Sequence, residues 1–218
     1  MLYYANNYSH AISSDMNNET QTALTVGSML PDLVLTAYDP KVDHEIMIKT
    51  GDYEFKGKKW LIFFFYPADF TFVCPTELQE MAQNYDAFLQ EDAEVYSVST
   101  DTVFTHKAWH DQSAAIKTVQ FPMVADPAGK LARLFGTYIY SGSDEGLSRR
   151  GSFIVDPDGI VKVAEINDNT IGRNAKELLR KLKAARFVRQ NGGVEVCPAS
   201  WEPGAATLKP GMDLVGKI

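Results

Sequence analysis

Apolar residues follow two contrasting patterns in the first half of the chain. Residues 59–66, KWLIFFFY, form a continuous apolar run whose length and aromatic content favour a strand buried on both faces. The next segment repeats its apolar positions every three or four residues, as an amphipathic helix does. These positions are Leu78, Met81, Ala82, Tyr85, Phe88 and Leu89. The pattern therefore predicts a buried strand that leads into a helix.

The same criteria predict the other elements of a single domain. Further strands are expected at 31–38, 93–100 and 121–126, and further helices at 104–112, 128–136 and 173–190. The turn-forming sequence Asp-Pro-Asp-Gly in the middle of 152–166 predicts a β-hairpin there. Strands that alternate with helices, followed by a hairpin and a last helix, predict an α/β, thioredoxin-like fold with a mixed central sheet flanked by helices.

The two ends of the chain lack this patterning. Residues 1–24 are rich in Asn, Ser, Thr and Gln, which predicts a flexible N-terminal extension before the domain at 25–191. After the glycine pair at 192–193 the periodicity stops. Residues 192–218 contain several prolines and glycines, so we expect an extended C-terminal arm and not a second domain.

Charge and composition narrow the choice of partners and location. The net charge of −7 argues against nucleic acid or an anionic membrane as a partner. The longest apolar run is too short to span a bilayer. The first Lys or Arg is Lys41, so the basic start of a secretory signal is missing. We therefore expect a cytoplasmic protein, in which cysteines are more often reactive than structural.

No cofactor or metal site is predicted. His106 and His110 have the four-residue spacing of metal ligands on a helix, but no cysteine or carboxylate cluster completes a site. We expect these histidines to be packing and surface residues.

The two cysteines, Cys74 and Cys197, both lie in the sequence Val-Cys-Pro. Cys74 stands between the buried strand and the helix, and Pro75 is of the type favoured at the first helical position. Free N–H groups and the helix dipole stabilise negative charge at such a place, so we expect a lowered pKa for the Cys74 thiol. Position alone leaves an inert, buried cysteine equally open.

A longer sequence match decides between these alternatives. The segment FFFYPADFTFVCPTE, 63–77, resembles the active-site motif of peroxiredoxins, Pro-x-x-x-Thr-x-x-Cys, at Pro67, Thr71 and Cys74. Further segments resemble the same family, namely VYSVSTDTVFTHKAWH (95–110), EGLSRRGSFIVDPDG (145–159), EVCPASW (195–201) and DLVGKI (213–218). The resemblance covers residues 25–218 and is to typical two-cysteine peroxiredoxins, in particular the branch formed by the peroxidase component of bacterial alkyl hydroperoxide reductase.

The resemblance implies a thiol-dependent peroxidase that reduces hydrogen peroxide and organic hydroperoxides. Cys74 would be the peroxidatic cysteine and would become a sulfenic acid. Thr71 would direct its hydroxyl at the thiolate and the bound peroxide, and Pro67 would shield the site from water. Arg150 would stabilise the thiolate and polarise the O–O bond. Cys197 would be the resolving cysteine, which forms an intersubunit disulfide with Cys74.

Arg149 and Arg150 are adjacent, and either could be the arginine next to the peroxidatic cysteine. The alignment of RGSF with the following strand favours Arg150 over Arg149, and the register of that strand determines which side chain points inward. For Arg149 we expect a solvated charge.

The resemblance also implies partners. We expect a homodimer that assembles into a ring decamer, recycled by a flavoprotein disulfide reductase or a thioredoxin-like reductant. A peroxide-sensing redox relay or a chaperone-like protein on the same scaffold remains the alternative. A thioredoxin-type disulfide oxidoreductase is disfavoured, because Glu77 stands where Cys-x-x-Cys requires a second cysteine.

Overall fold

The computed structural model describes residues 22–52 and 54–217, and within them seven strands form one mixed sheet. The strands are β1 (Val34–Asp39), β2 (His44–Lys49), β3 (Trp60–Phe65), β4 (Ala93–Ser99), β5 (Met123–Ala125), β6 (Arg150–Val155) and β7 (Val161–Asn167). Their order in the sheet is β2-β1-β5-β4-β3-β6-β7. The central β3–β4 and β4–β5 pairs are parallel and the outer pairs are antiparallel, which confirms the predicted mixed sheet.

The helices of the described residues are α1 (Cys74–Gln83), α2 (Tyr85–Gln90), α3 (Val103–Gln112), α4 (Lys130–Leu134) and α5 (Ala175–Gln190), with 3-10 turns at Ile116–Thr118 and Met212–Leu214. The single helix expected after β3 is in fact two, because the chain bends at Asn84. The Asn84 side chain donates to the carbonyl of Glu80 at 2.8 Å, a local bond with which Asn competes with regular helix.

Strand β3 lies between two apolar cores, as its unbroken apolar sequence predicts. All of its side chains are buried. Ile62 and Phe64 join the core beneath α1, α2 and α5, whereas Phe63 and Phe65 join the core beneath α4. Since the two faces of a strand alternate along its sequence, both faces of the sheet are covered by helices.

Strand β2 is the element that the hydrophobic pattern does not predict. Its sequence HEIMIK is mainly exposed, and Ile48 is its one buried residue. The strand lies at the edge of the sheet, where β1 is its neighbour among the described strands. An edge strand with little buried surface leaves a weak alternation in the sequence, which explains the omission.

The C-terminal arm packs against the domain of its own chain. Val196 and Leu208 exchange backbone hydrogen bonds of 2.8 and 3.0 Å, which close the segment between them into a loop. Trp201 in that loop is buried, and its ring lies 5.0 Å from the ring of Phe187 on α5. The predicted flexible extension at 1–24 falls mostly outside the described residues and stays a prediction. Among the described residues, no helix has the length and apolar character needed to cross a bilayer.

Candidate active site

Cys74 is the first residue of α1 and is fully buried. Val73 is the N-cap residue and Pro75 is the second helical residue, so the predicted position of the thiol at a helix start is confirmed. Strand β3 and the segment 66–73 bring the chain to this point. The backbone N–H groups of the first helical turn favour negative charge on the sulfur.

Arg150 contacts the Cys74 sulfur directly. All six residues of β6 are buried, and the strand register turns Arg150 inward while Arg149 remains exposed, as expected. The Nη1 group of Arg150 lies 3.5 Å from Cys74 Sγ. Its Nε group donates to the backbone carbonyl of Asn169 at 2.9 Å, which fixes the plane of the guanidinium. A fixed cation with several donors therefore faces the thiol.

A buried carboxylate holds Arg150 in this orientation. Glu77 lies on the same turn of α1 as Cys74 and accepts from Arg150 Nη1 at 2.6 Å. Glu77 also accepts from the backbone N–H of Arg173 at 2.8 Å and from its Nε at 2.9 Å. The side chains of both arginines and of Glu77 are almost completely buried. Each group is satisfied, as a buried ionic network requires.

Arg173 completes the network on the same face of the sheet as Arg150. Its Nη1 donates to the carbonyl of Gly151 at 2.7 Å, and its guanidinium stacks on the Phe64 ring at 3.4 Å. Burial lowers the pKa of Arg173, and the hydrogen bonds and charge of Glu77 oppose that effect. The two arginines and the one carboxylate carry a net positive charge beside Cys74. That charge stabilises a thiolate, and it also stabilises the charge that develops on a departing oxygen.

The segment 66–73 places the two other predicted site residues next to Cys74 in sequence. Pro67 is buried and Thr71 is half-buried. The Thr71 hydroxyl donates to the carbonyl of Ala68 at 2.9 Å. Phe70 has φ of 55°, in the left-handed region, so the segment turns sharply between Pro67 and Thr71. The hydroxyl of Thr71 is thus engaged with its own loop and is not bonded to the thiol.

A second buried network anchors the start of this segment. The Tyr66 hydroxyl donates to Asp69 at 2.7 Å, and the other oxygen of Asp69 lies 2.7 Å from Nδ1 of His106. His106 Nε2 is 3.2 Å from the carbonyl of Val124. Burial raises the pKa of Asp69, and its hydrogen bond to His106 opposes the rise. The network ties the segment to α3 and to β5.

The expected surface role of the histidine pair is wrong. His106 is fully buried in the Asp69 network, and His110 is buried with its Nε2 3.2 Å from the carbonyl of Val119. Both are packing residues that hydrogen-bond to backbone. In the part of the chain that the structure describes, no three His, Cys, Asp or Glu side chains are grouped so as to hold a metal ion.

Cys197 is not brought to Cys74 within the chain, and both cysteines are free thiols. Cys197 is half-buried in the arm, where its Sγ lies 3.8 Å from the carbonyl of Ala184 on α5. Burial raises the pKa of the Cys197 thiol, and the nearby charge of Arg180 opposes the rise. The second cysteine therefore has an environment of its own, next to a helix that belongs to the same chain.

Glu77 and Arg173 are the site residues that the sequence interpretation missed. They are 96 positions apart, and their contact depends on how α1 meets the loop before α5. A signal did exist at Glu77, which lies in the same helical turn as the candidate nucleophile. Arg173 falls at the start of the helix predicted at 173–190, where a basic residue is expected to be solvated. The structure instead places it just before α5 and buries its side chain.

Known proteins are similar to this chain both in sequence and in structure. A sequence profile described as the AhpC/TSA family matches residues 26–164. The chain belongs to the AhpC/TSA family. Alkyl hydroperoxide reductase C of Staphylococcus saprophyticus is 52% identical over 182 residues, which are 84% of this chain and 93% of that protein. The range that the profile matches includes Cys74, Glu77 and Arg150, whereas Arg173 and Cys197 lie beyond it.

Solved structures agree with this family assignment. The crystal structure of Enterococcus faecalis AhpC superposes with a TM-score of 0.72 at 46% identity, over 81% of this chain and all of that one. The reduced 2-Cys peroxiredoxin of Plasmodium vivax gives a TM-score of 0.78 at 29% identity, over 86% and 94% of the two chains. The predicted thioredoxin-like fold and thiol-dependent peroxidase activity are both confirmed, and the relay or chaperone alternative is not favoured.

Proposed function

We propose that this chain reduces peroxides by direct attack of the Cys74 sulfur on a peroxide oxygen. The observation that carries the proposal is the contact of Arg150 Nη1 with Cys74 Sγ at 3.5 Å inside a buried site. A cation held by Glu77 and by the Asn169 carbonyl cannot swing away as charge moves from sulfur to oxygen. Donors fixed in place before the reaction lower the barrier most.

The reaction proceeds by nucleophilic displacement at oxygen. The Cys74 thiolate forms an S–O bond, the O–O bond breaks, and an alkoxide or hydroxide leaves and takes up a proton. Cys74 becomes a sulfenic acid, so sulfur is oxidised and the peroxide is reduced to an alcohol or to water. Arg150 stabilises the thiolate before the attack and the oxygen anion after it. Thr71 turns its hydroxyl from the Ala68 carbonyl towards the bound peroxide, and Pro67 limits the access of water.

The second half of the cycle uses Cys197. Its thiol attacks the sulfenic sulfur of a Cys74 in another chain, a disulfide forms, and water leaves. The position of Cys197 beside α5, separate from the Cys74 site of its own chain, supports an intersubunit bond. We propose a homodimer that assembles into a ring decamer, with a flavoprotein disulfide reductase or a thioredoxin-like protein as reductant. The cytosol is the proposed location, because such reductants keep thiols reduced there.

The test compares the wild type with Cys74→Ser and Cys197→Ser. The reduced proteins are mixed with one equivalent of hydrogen peroxide, and consumption of peroxide and products on a non-reducing gel are measured. Wild type is expected to yield a disulfide-linked dimer. Cys74→Ser should consume no peroxide, and Cys197→Ser should consume one equivalent and remain a monomer on the gel. Full activity of Cys74→Ser would overturn the proposal, and a wild-type band that stays monomeric would remove the intersubunit disulfide.

A further inference from the structure

A groove of about 790 Å³ runs along α5 beside Cys197. Ala184 and Val188 of α5, Val163 of β7, and Cys197 with the three residues after it all line the groove. The groove is therefore the immediate environment of the Cys197 thiol before it reacts.

Arg180 lines this groove and holds the arm. Its Nη1 donates to the backbone carbonyl of Trp201 at 3.0 Å. The other side of its guanidinium donates to both oxygens of Glu177, from Nε at 2.7 Å and from Nη2 at 2.8 Å. Glu177 thereby fixes the fork of Arg180 on the helix. The remaining Nη1 group is directed at the loop that begins with Cys197.

Two other cations that line the groove form ion pairs of their own. Lys181 donates to Glu165 at 2.5 Å, and Arg189 donates to Asp158. The charged residues that line the groove from α5, β7 and the turn before β7 are Arg180, Lys181, Arg189, Lys162, Asp156 and Asp158. Arg180 lines the same groove as Cys197, and its charge opposes the rise that burial causes in the pKa of the Cys197 thiol, while Glu202 of the arm acts on Arg180 in turn.

We propose that Arg180 is a positioning residue for the resolving step, one that fixes the arm through the Trp201 carbonyl and keeps a positive charge beside Cys197. The inference rests on the proposed role of Cys197. In the resolving step the Cys197 thiolate bonds to the Cys74 sulfur, the S–O bond of the sulfenic acid breaks, and the departing hydroxide takes up the proton that Cys197 released. When the disulfide is reduced, a thiolate leaves again. A neighbouring cation assists the thiolate in both directions.

The first experiment measures the thiol alone. In a Cys74→Ser background Cys197 is the remaining cysteine of the chain. Its rate of alkylation by iodoacetamide is followed against pH in wild-type, R180K and R180Q forms. R180K keeps the charge and loses the fork, whereas R180Q keeps an amide donor and loses the charge. Burial raises the pKa of Cys197 and Arg180 opposes the rise, so R180Q should move the alkylation midpoint to higher pH.

The sign of the rate change follows from this shift. Below both midpoints R180Q contains less thiolate, so at neutral pH it should react several-fold more slowly than the wild type. Above both midpoints the difference should vanish. R180K should lie close to the wild type. K176Q is the matched control, because Lys176 is an exposed cation on the same helix, and it should change nothing.

The second experiment measures resolution in the full protein with both cysteines. Stopped-flow fluorescence separates a phase that depends on peroxide concentration from a later phase that does not. R180Q should slow the later phase by a similar factor and leave the earlier one unchanged. Equal rates in R180Q and wild type, or equal slowing in K176Q, would overturn the inference. Equal slowing in R180K and R180Q would overturn the part of it that concerns the charge. If the wild type shows no later phase, the proposed role of Cys197 as the resolving cysteine is wrong as well.

Discussion

The two Val-Cys-Pro segments have the same letters and opposite surroundings. Cys74 begins a helix, is fully buried, and has a guanidinium nitrogen 3.5 Å from its sulfur. Cys197 is half-buried in an arm, with its sulfur 3.8 Å from a backbone carbonyl. The three shared residues therefore do not determine the chemistry of either cysteine. That chemistry depends on the helices, strands and side chains that pack against each segment.

The ion pairs near the two thiols differ in the same way. Glu77 is buried between two arginines and accepts four hydrogen bonds from them. Near Cys197, Glu177 pairs with Arg180 on the surface of α5, and its side chain is 44% exposed. A buried network holds one geometry, whereas an exposed pair yields at little cost. The ion pairs at the peroxide site are therefore held more rigidly than the Glu177–Arg180 pair.

The largest expected effect comes from removing the cation at the fixed site. In R150M the second-order rate constant of the reduced protein with peroxide should fall about 10²–10³-fold, because a donor directed at the developing charge is lost. Stopped-flow kinetics under excess peroxide measures this. The chain supplies a matched control, R149M, which removes an exposed arginine one position away. Similar losses in the two variants would contradict the inward orientation assigned to Arg150.

The next effect concerns stability at the same site. E77Q leaves two buried guanidinium groups without their shared carboxylate, so the free energy of unfolding should fall by about 3 kcal/mol. Urea unfolding followed by circular dichroism measures the change. The control E177Q breaks an exposed pair and should cost less than about 1 kcal/mol. Equal losses in E77Q and E177Q would remove the distinction between a buried and an exposed network.

The sequence predicts elements whose signals are local. The apolar run of β3, the helix start at Cys74 and the inward register of Arg150 all follow from neighbouring residues and from the family resemblance, and the structure contains each. Strand β2 has one buried residue, so its pattern is too weak to detect. The contact of Glu77 with Arg173 depends on two segments 96 positions apart. No local pattern encodes which charges share a buried space.

A smaller effect is expected from a substitution in the C-terminal arm. In W201A the arm loses its contact with Phe187, so the loop around Cys197 should open more often. Backbone amides between 196 and 208 should exchange on the order of tenfold faster, equivalent to about 1.4 kcal/mol of local opening free energy. Hydrogen exchange with mass spectrometry measures this by peptide. Amides of α1 should be unchanged, and equal acceleration there would show that the arm and the peroxide site are one cooperative unit.

The smallest effect is expected in the wild type itself, as resistance to overoxidation. The family resemblance implies a difference at one loop, because peroxiredoxins that overoxidise readily carry Gly-Gly-Leu-Gly there, whereas this chain has SGSDEGLS at 141–148. The 3-10 turn Met212–Leu214 near its end has no buried residue. Nothing in that turn is packed so as to delay the opening of the Cys74 segment, so Cys197 should capture the sulfenic acid before a second peroxide does. Intact mass after a peroxide titration under turnover should show only a minor +32 species, and Cys197→Ser should accumulate it. A dominant species 32 Da heavier in the wild type at low peroxide would contradict the prediction. It would mean that the segment around Cys74 opens more slowly than a second peroxide reacts.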